Sequence, residues 1–217
     1  MKKFFLVSAA IGVTAALQTG CVVGRRTIAL PVPAAASTAP DQKGTVYLES
    51  VTDERRFENN PAEPSTPSVD GDVTAMSAEQ RSLMIGRQRG GFGNAMGDIA
   101  LPAGDSIQKR MTALFEEALK RRGYALSADA SAENKAAIAV KEFWAWFTPG
   151  MWSVSFEARI SCVVSINTAA GAKEITLTSQ SYNGGQVASD ANWRIAYERA
   201  FEDFLKKLDA ELAEAGL

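Results

Sequence analysis

Residues 152–167 read Trp152-Ser-Val-Ser-Phe-Glu-Ala-Arg-Ile-Ser-Cys-Val-Val-Ser-Ile-Asn167. One set of alternate positions is Trp152, Val154, Phe156, Ala158, Ile160, Cys162, Val164 and Ile166. The other is Ser153, Ser155, Glu157, Arg159, Ser161, Val163, Ser165 and Asn167, where only Val163 is apolar. Side chains of a strand point alternately to opposite faces, so this period of two predicts a strand with one buried and one wet face. A wet face implies an antiparallel sheet, because parallel sheets are covered on both sides. At about 3.3 Å per residue the stretch would run roughly 50 Å, which predicts a long, curved central strand.

Just before it, residues 136–147 read as a strand that ends in Phe143-Trp-Ala-Trp-Phe147, and Thr148-Pro-Gly-Met151 turns the chain back into the central strand. Aromatic side chains therefore fall on both faces near this turn, Trp144 and Trp146 on one and Phe143 and Phe147 on the other. One pair packs in the core. The other meets solvent, a folded-over loop, a partner or lipid. Beyond the central strand, Thr168 to Ala172 is a hairpin turn, and Lys173 to Tyr182 alternates with fewer apolar residues, as edge strands do. Ser189 or Asp190 then caps a long final helix striped by Trp193, Tyr197, Phe201, Phe204, Leu208 and Leu212.

Upstream, Ile107, Met111, Leu114, Phe115, Ala118 and Leu119 form one apolar helical stripe. Asp105 is its expected N-cap with Gln108 at the third position, and Lys120 to Arg122 followed by Gly123 suit its end. Residues 98–101 and 124–126 read as short strands, and Thr45 to Val51 as a longer one. Asp53-Glu-Arg-Arg56 reads as a solvated turn. Residues 57–97 form an irregular insertion. Pro61, Pro64, Pro67 and Gly71 break regular structure, Ser77-Ala-Glu-Gln80 matches a capping box, and Ile85 to Gly97 is a Gly-rich hairpin turn or loop. That loop lacks the spacing of a dinucleotide fingerprint and the Lys-Ser/Thr of a Walker motif. Together these elements predict an α+β fold: an antiparallel sheet of about four to five strands with two amphipathic helices packed on one face, over residues 45–217.

Composition narrows function. The chain has 217 residues, a net charge of -2 and no histidine. The charge gives no footprint for nucleic acid, and the missing histidine excludes Ser-His-Asp and Cys-His catalysis and His-ligated metal. Gly104-Asp-Ser-Ile107 and Ser106-Ile-Gln-Lys109 echo two hydrolase motifs. The first lacks its downstream histidine base and the second lacks its partner motifs, so Ser106 reads as a helix-start residue. No cofactor, metal or enzymatic activity is expected.

The first residues carry an address. Lys2 and Lys3 are followed by the apolar run Phe4 to Leu17, too short to span a membrane, and by Gly20-Cys21. This looks like a bacterial lipoprotein signal (residues 1–20) with Cys21 as the lipidated residue. The alternative is an ordinary secretory signal with Cys21 free to pair with Cys162. Residues 21–44, with Pro31 to Gly44 rich in Pro and Ala, read as an extended tether. By analogy with enteric bacteria, where an aspartate after the cysteine retains lipoproteins in the inner membrane, Val22 points to the outer membrane.

The signal ending at Cys21, the segment Ser106 to Tyr124 with its Arg-Arg-Gly-Tyr end, the hairpin with Phe-Trp before the turn and Phe156-Glu-Ala-Arg-Ile after it, and the closing helix resemble the YajG-like lipoproteins of Gram-negative bacteria. The resemblance implies an envelope lipoprotein without known catalytic residues. The leading expectation is a lipid-anchored, non-enzymatic adaptor facing the periplasm that docks an envelope protein through Arg87, Arg89, Phe92, Trp144, Trp146, Met151 and Trp152. The alternative is an auxiliary lipid-binding subunit of an envelope ABC-type lipid transporter, which needs an apolar groove.

Overall fold

The trunk of the fold is strand β6, and its two edges are used differently. We describe it from a computed structural model that covers residues 24–34, 42–90, 95–150, 153–185 and 189–217. The elements in chain order are β1 (Arg26–Thr27), β2 (Gly44–Asp53), α1 (Ala78–Leu83), β3 (Met84–Arg89), β4 (Ala95–Ala100), α2 (Ile107–Arg121), β5 (Tyr124–Ser127), β6 (Asn134–Pro149), β7 (Val154–Thr168), β8 (Gly171–Gly185) and α3 (Asp190–Glu214).

One edge of β6 pairs along its length with β7, antiparallel from Lys135↔Asn167 to Pro149↔Val154, and β7 pairs in the same way with β8. The other edge is shared. Its first half, residues 134–140, pairs parallel with β2, and Ala145 and Trp146 pair parallel with β3. From there the sheet forks. Outside β2 lies β5, parallel, and outside β3 lie β4 and then β1. The result is one mixed, curled, half-barrel sheet of eight strands with three helices.

This corrects the expected antiparallel sheet of four to five strands with two helices. Strand β7 has the period-two burial its sequence predicts, with Phe156, Ala158, Ile160, Cys162 and Val164 all fully buried. The parallel pairs escaped because each joins strands distant in sequence, and no local pattern encodes which edge a returning strand takes. Strand β3 escaped for another reason. Its residues Gly86, Arg87, Gln88 and Arg89 are all buried, so polar chemistry disguised an interior strand as a loop.

The main core lies between the sheet and helices α2 and α3. Phe143 stacks on Tyr197 at 5.2 Å between centroids, and Phe156 meets Trp193 edge-on at 5.1 Å. Ser106 rather than Asp105 is the N-cap of α2, accepting from Lys109 N–H, while Asp105 accepts from Arg110 Nε. Ser77 and Gln80 form the expected capping box of α1, and Gly123, at φ 84°, ends α2 as a C′ glycine does.

The opposite face of the β3–β6 region has a second, smaller core. Trp144 and Trp146 pack there under Val69, Val73, Phe57 and Met76. The irregular segment therefore folds over this aromatic pair. It is braced by Glu58 N–H to Pro67 O (2.9 Å) and by Val73 N–H to Asn59 Oδ1 (2.9 Å).

The stretch expected as a tether also belongs to the domain where it is described. Ile28 and Leu30 lie in the main core, β1 is a sheet strand, and Leu30 O and Pro33 O accept from Arg110 and Arg121 of α2. Lys43 N–H then returns to Gly123 O at 2.7 Å.

Candidate functional site

Of the expected site residues, the lipidation residue Cys21 and the contact residues Phe92, Met151 and Trp152 lie outside the described residues. The other four are inside the fold. Trp144 is 1% exposed, meets Phe57 edge-on at 5.9 Å and donates its indole N–H to Pro64 O at 3.3 Å. Trp146 is 6% exposed and is covered by the Arg159 guanidinium, 5.2 Å from the ring centroid. Arg89 donates to Pro61 O (2.6 Å) and Ser68 Oγ (3.2 Å), and burial followed by the neighbouring Arg87 charge pulls it below the usual arginine range. Arg87 lies 3.8 Å from Asp98, itself 2% exposed, and 3.8 Å from the outer carboxylate of Asp70. These side chains hold the irregular segment to the sheet, and their burial takes them out of reach of a docking partner.

A residue read as solvated proves to be central. Arg55 fills the fork where β2 ends and β3 has not begun. Its Nη1 donates to Met84 O (2.6 Å) and Phe143 O (2.9 Å), and its Nη2 to Arg81 O (2.8 Å). Asp53 grips Nε and Nη2 at 2.9 and 3.0 Å, and Phe57 lies under the guanidinium at 5.0 Å. The planar fork thus supplies donors to carbonyls on three elements at the break in the ladder. The signal in the sequence was slight: an acid and a base two residues apart at a strand end.

A concave surface follows from the same fork. Strand β5 pairs with Gly44 to Tyr47 only, and among the described residues no strand continues it along Leu48 to Asp53. Two adjoining clefts occupy that place. One, of about 440 Å³, is lined by Leu48, Ser50, Val51, Gln108, Thr112 and Leu126. The other, of about 770 Å³, runs from Val51 past Asp53 and Arg55 to α1 and the start of α2. Glu54 N–H points to β6, donating to Val140 O at 2.9 Å. Because backbone groups alternate along a strand, those of Val51 and Asp53 point the other way, into the cleft. Gln108 borders both clefts, and its buried Oε1 has no hydrogen-bond partner.

Several polar side chains bordering this surface are already bonded within the fold. Ser106 borders the cleft, but its Oγ accepts from Lys109 N–H, and Lys109 Nζ is directed to Gly104 O. The other charged groups lining the larger cleft are the Asp53–Arg55 pair, Glu79, Arg81 and Asp105, which Arg110 holds from outside the lining. No helix among the described residues is long and apolar enough to cross a membrane.

No family model matches the chain, and no curated protein does. Solved structures do resemble it. One is an uncharacterized protein, 7% identical, covering 88% of this chain and 99% of its own, with a TM-score of 0.44. Another, from Xanthomonas campestris and of the family DUF330, is 14% identical, covers 88% and 96%, and scores 0.45. A third, described as a neuraminyllactose-binding hemagglutinin homologue from Helicobacter pylori, is 12% identical, covers 83% and 91%, and scores 0.30. At these scores the likeness says nothing about what this chain binds.

Proposed function

We propose that the chain is an outer-membrane lipoprotein, YajG-like in kind, anchored at Cys21. Its periplasmic domain is a non-enzymatic interaction module that takes an extended segment of an envelope protein along the open edge of β2. The observation that carries this reading is the open edge itself, flanked by clefts, with Gln108 Oε1 left without a donor. An added strand would supply N–H groups to that oxygen and to the edge carbonyls, the mode of recognition by strand addition. The rival role of lipid carrier requires an apolar channel, and charged and polar side chains border these clefts.

The test is a displayed library of random peptides panned against the purified domain. Selected peptides should shift the backbone amide resonances of residues 48–53. They should also lose affinity to Val51→Pro, which removes an outward N–H while leaving the β6 side of the ladder intact. One lost backbone hydrogen bond costs about 0.5–1.5 kcal/mol, so a drop of roughly two- to tenfold is expected. Binding that ignores Val51→Pro, or amide shifts confined to other surfaces, refutes the assignment.

A further inference from the structure

The first described residues after Cys21 are structural. Gly24 N–H donates to Met96 O at 2.9 Å, and Arg26 and Thr27 pair with Ile99 and Ala100 of β4. The Arg26 side chain is 9% exposed and donates to Gln88 Oε1 (2.6 Å) and Asp190 Oδ1 (3.0 Å), and Ile28 and Leu30 are 0% and 2% exposed. Two buried aliphatic side chains hold a segment by about 1.5–3 kcal/mol each. This strand therefore does not peel away as a tether would. The Pro/Ala-rich stretch Pro31 to Gly44 that could have served as a spacer is fastened near both ends, at Leu30 O by Arg110 of α2 and at Lys43 N–H by Gly123 O just after α2.

The span between anchor and fold is thus short. From Cys21 to Gly24 there are three Cα steps, at most about 11 Å. Several other parts of the chain share the end of the domain where Gly24 sits. Parallel pairing of β3 with β6 puts the end of β3 beside the end of β6, antiparallel pairing puts Val154 opposite Gly185, and the Arg26–Asp190 contact brings in the start of α3. The β5–β6 connection lies at the other end, roughly 50 Å away along β6. The open edge of β2 lies beside residues 136–140, in the distal half of β6.

We infer that the anchor seats the domain flush on the lipid surface. The end bearing Gly24, the last residues of β6 and the start of α3 faces the headgroups, and the open edge of β2 is held out in the aqueous phase. This rests on the reading of Cys21 as the lipidated residue. Arg25, whose side chain is 55% exposed beside Asp98, then lies at the headgroup level, where a guanidinium suits lipid phosphate. The consequence for function is directional: a partner approaches from the side away from the membrane.

The experiment uses the full chain, processed in a bacterial host, purified and reconstituted in phosphatidylcholine vesicles containing a nitroxide-headgroup lipid. A fluorophore is placed on Ser153→Cys or on Ala130→Cys, both exposed positions at opposite ends. Cys162 does not compete for label, because it is fully buried and its thiol is pushed up to about 12. Emission at 153 should drop at least about twofold, since it sits within roughly 10–20 Å of the headgroups, while 130 stays near its vesicle-free value. A Gly/Ser spacer of about twenty residues inserted before Gly24, with a mean span of roughly 25 Å, should abolish that difference. Equal quenching at both sites, stronger quenching at 130, or a difference that survives the spacer overturns the seating alone. Absence of acyl mass on the protein, with no sedimentation on vesicles, overturns the lipidation reading and the seating with it.

Discussion

Arg55→Ala should be among the most damaging single changes in the domain. The side chain is 0% exposed and makes five polar contacts: two to the Asp53 carboxylate and three to the carbonyls of Met84, Phe143 and Arg81. Removing one partner of a buried ion pair costs about 3–5 kcal/mol, because the other charge stays behind. Each stranded carbonyl adds about 1–3 kcal/mol if it stays dry. Here water can reach them, since Asp53 and Arg55 border the larger cleft, so their share falls at the low end. Terms within one network do not add. The expected loss is about 4 kcal/mol, against a total of about 5–15 for a domain of ordinary stability. In urea titrations followed by tryptophan fluorescence, with a slope of about 2 kcal/mol/M, the midpoint should fall by roughly 2 M. Arg56→Ala, one residue on and exposed, should stay within about 0.5 kcal/mol of the parent. Adding Asp53→Ala to Arg55→Ala should recover part of the loss. A cost below about 1 kcal/mol, equal to that of Arg56→Ala, would refute the idea that this guanidinium joins the two halves of the sheet edge.

Three further outcomes are expected. Trp144→Ala should cost about 3–5 kcal/mol and loosen residues 57–73, read as protease cleavage there before global unfolding. Gly97→Ala should undock β1, because a Cβ at φ 151° would stand 2.0 Å from Gly24 O; fast amide exchange at Ile28 with β7 still protected is the readout. Burial raises the Asp98 carboxyl above its ordinary range, against the pull of the Asp70 N–H and of Arg87 and Arg25. The folded state thus holds this proton to higher pH than the unfolded chain. Its contribution is full below the unfolded value of about 3.9 and declines as pH rises through the folded value, and the difference in unfolding free energy between parent and Asp98→Asn should show that decline.

Elements whose burial follows a local period are legible in the amino-acid order alone. The apolar register of 154–166, the stripes of α2 and α3, the split of Phe143 and Phe147 from Trp144 and Trp146, and the capping box at Ser77 are all readable within one or two turns of chain, because side-chain direction is set by backbone geometry. The sequence also carried the composition that excludes histidine chemistry. What covers the tryptophan face, which strands run parallel, and where residues 24–34 go are settled by the folded chain. Those outcomes depend on contacts between residues about 30 to 160 positions apart, such as Arg55 with Met84 and Phe143, or Arg26 with Asp190. Arg55, Arg87 and Arg89 show the same limit most sharply. A charge in a sequence reads as solvated, because leaving water is costly; it is held inside only where distant carbonyls and carboxylates converge on it, and that convergence is a property of the folded chain.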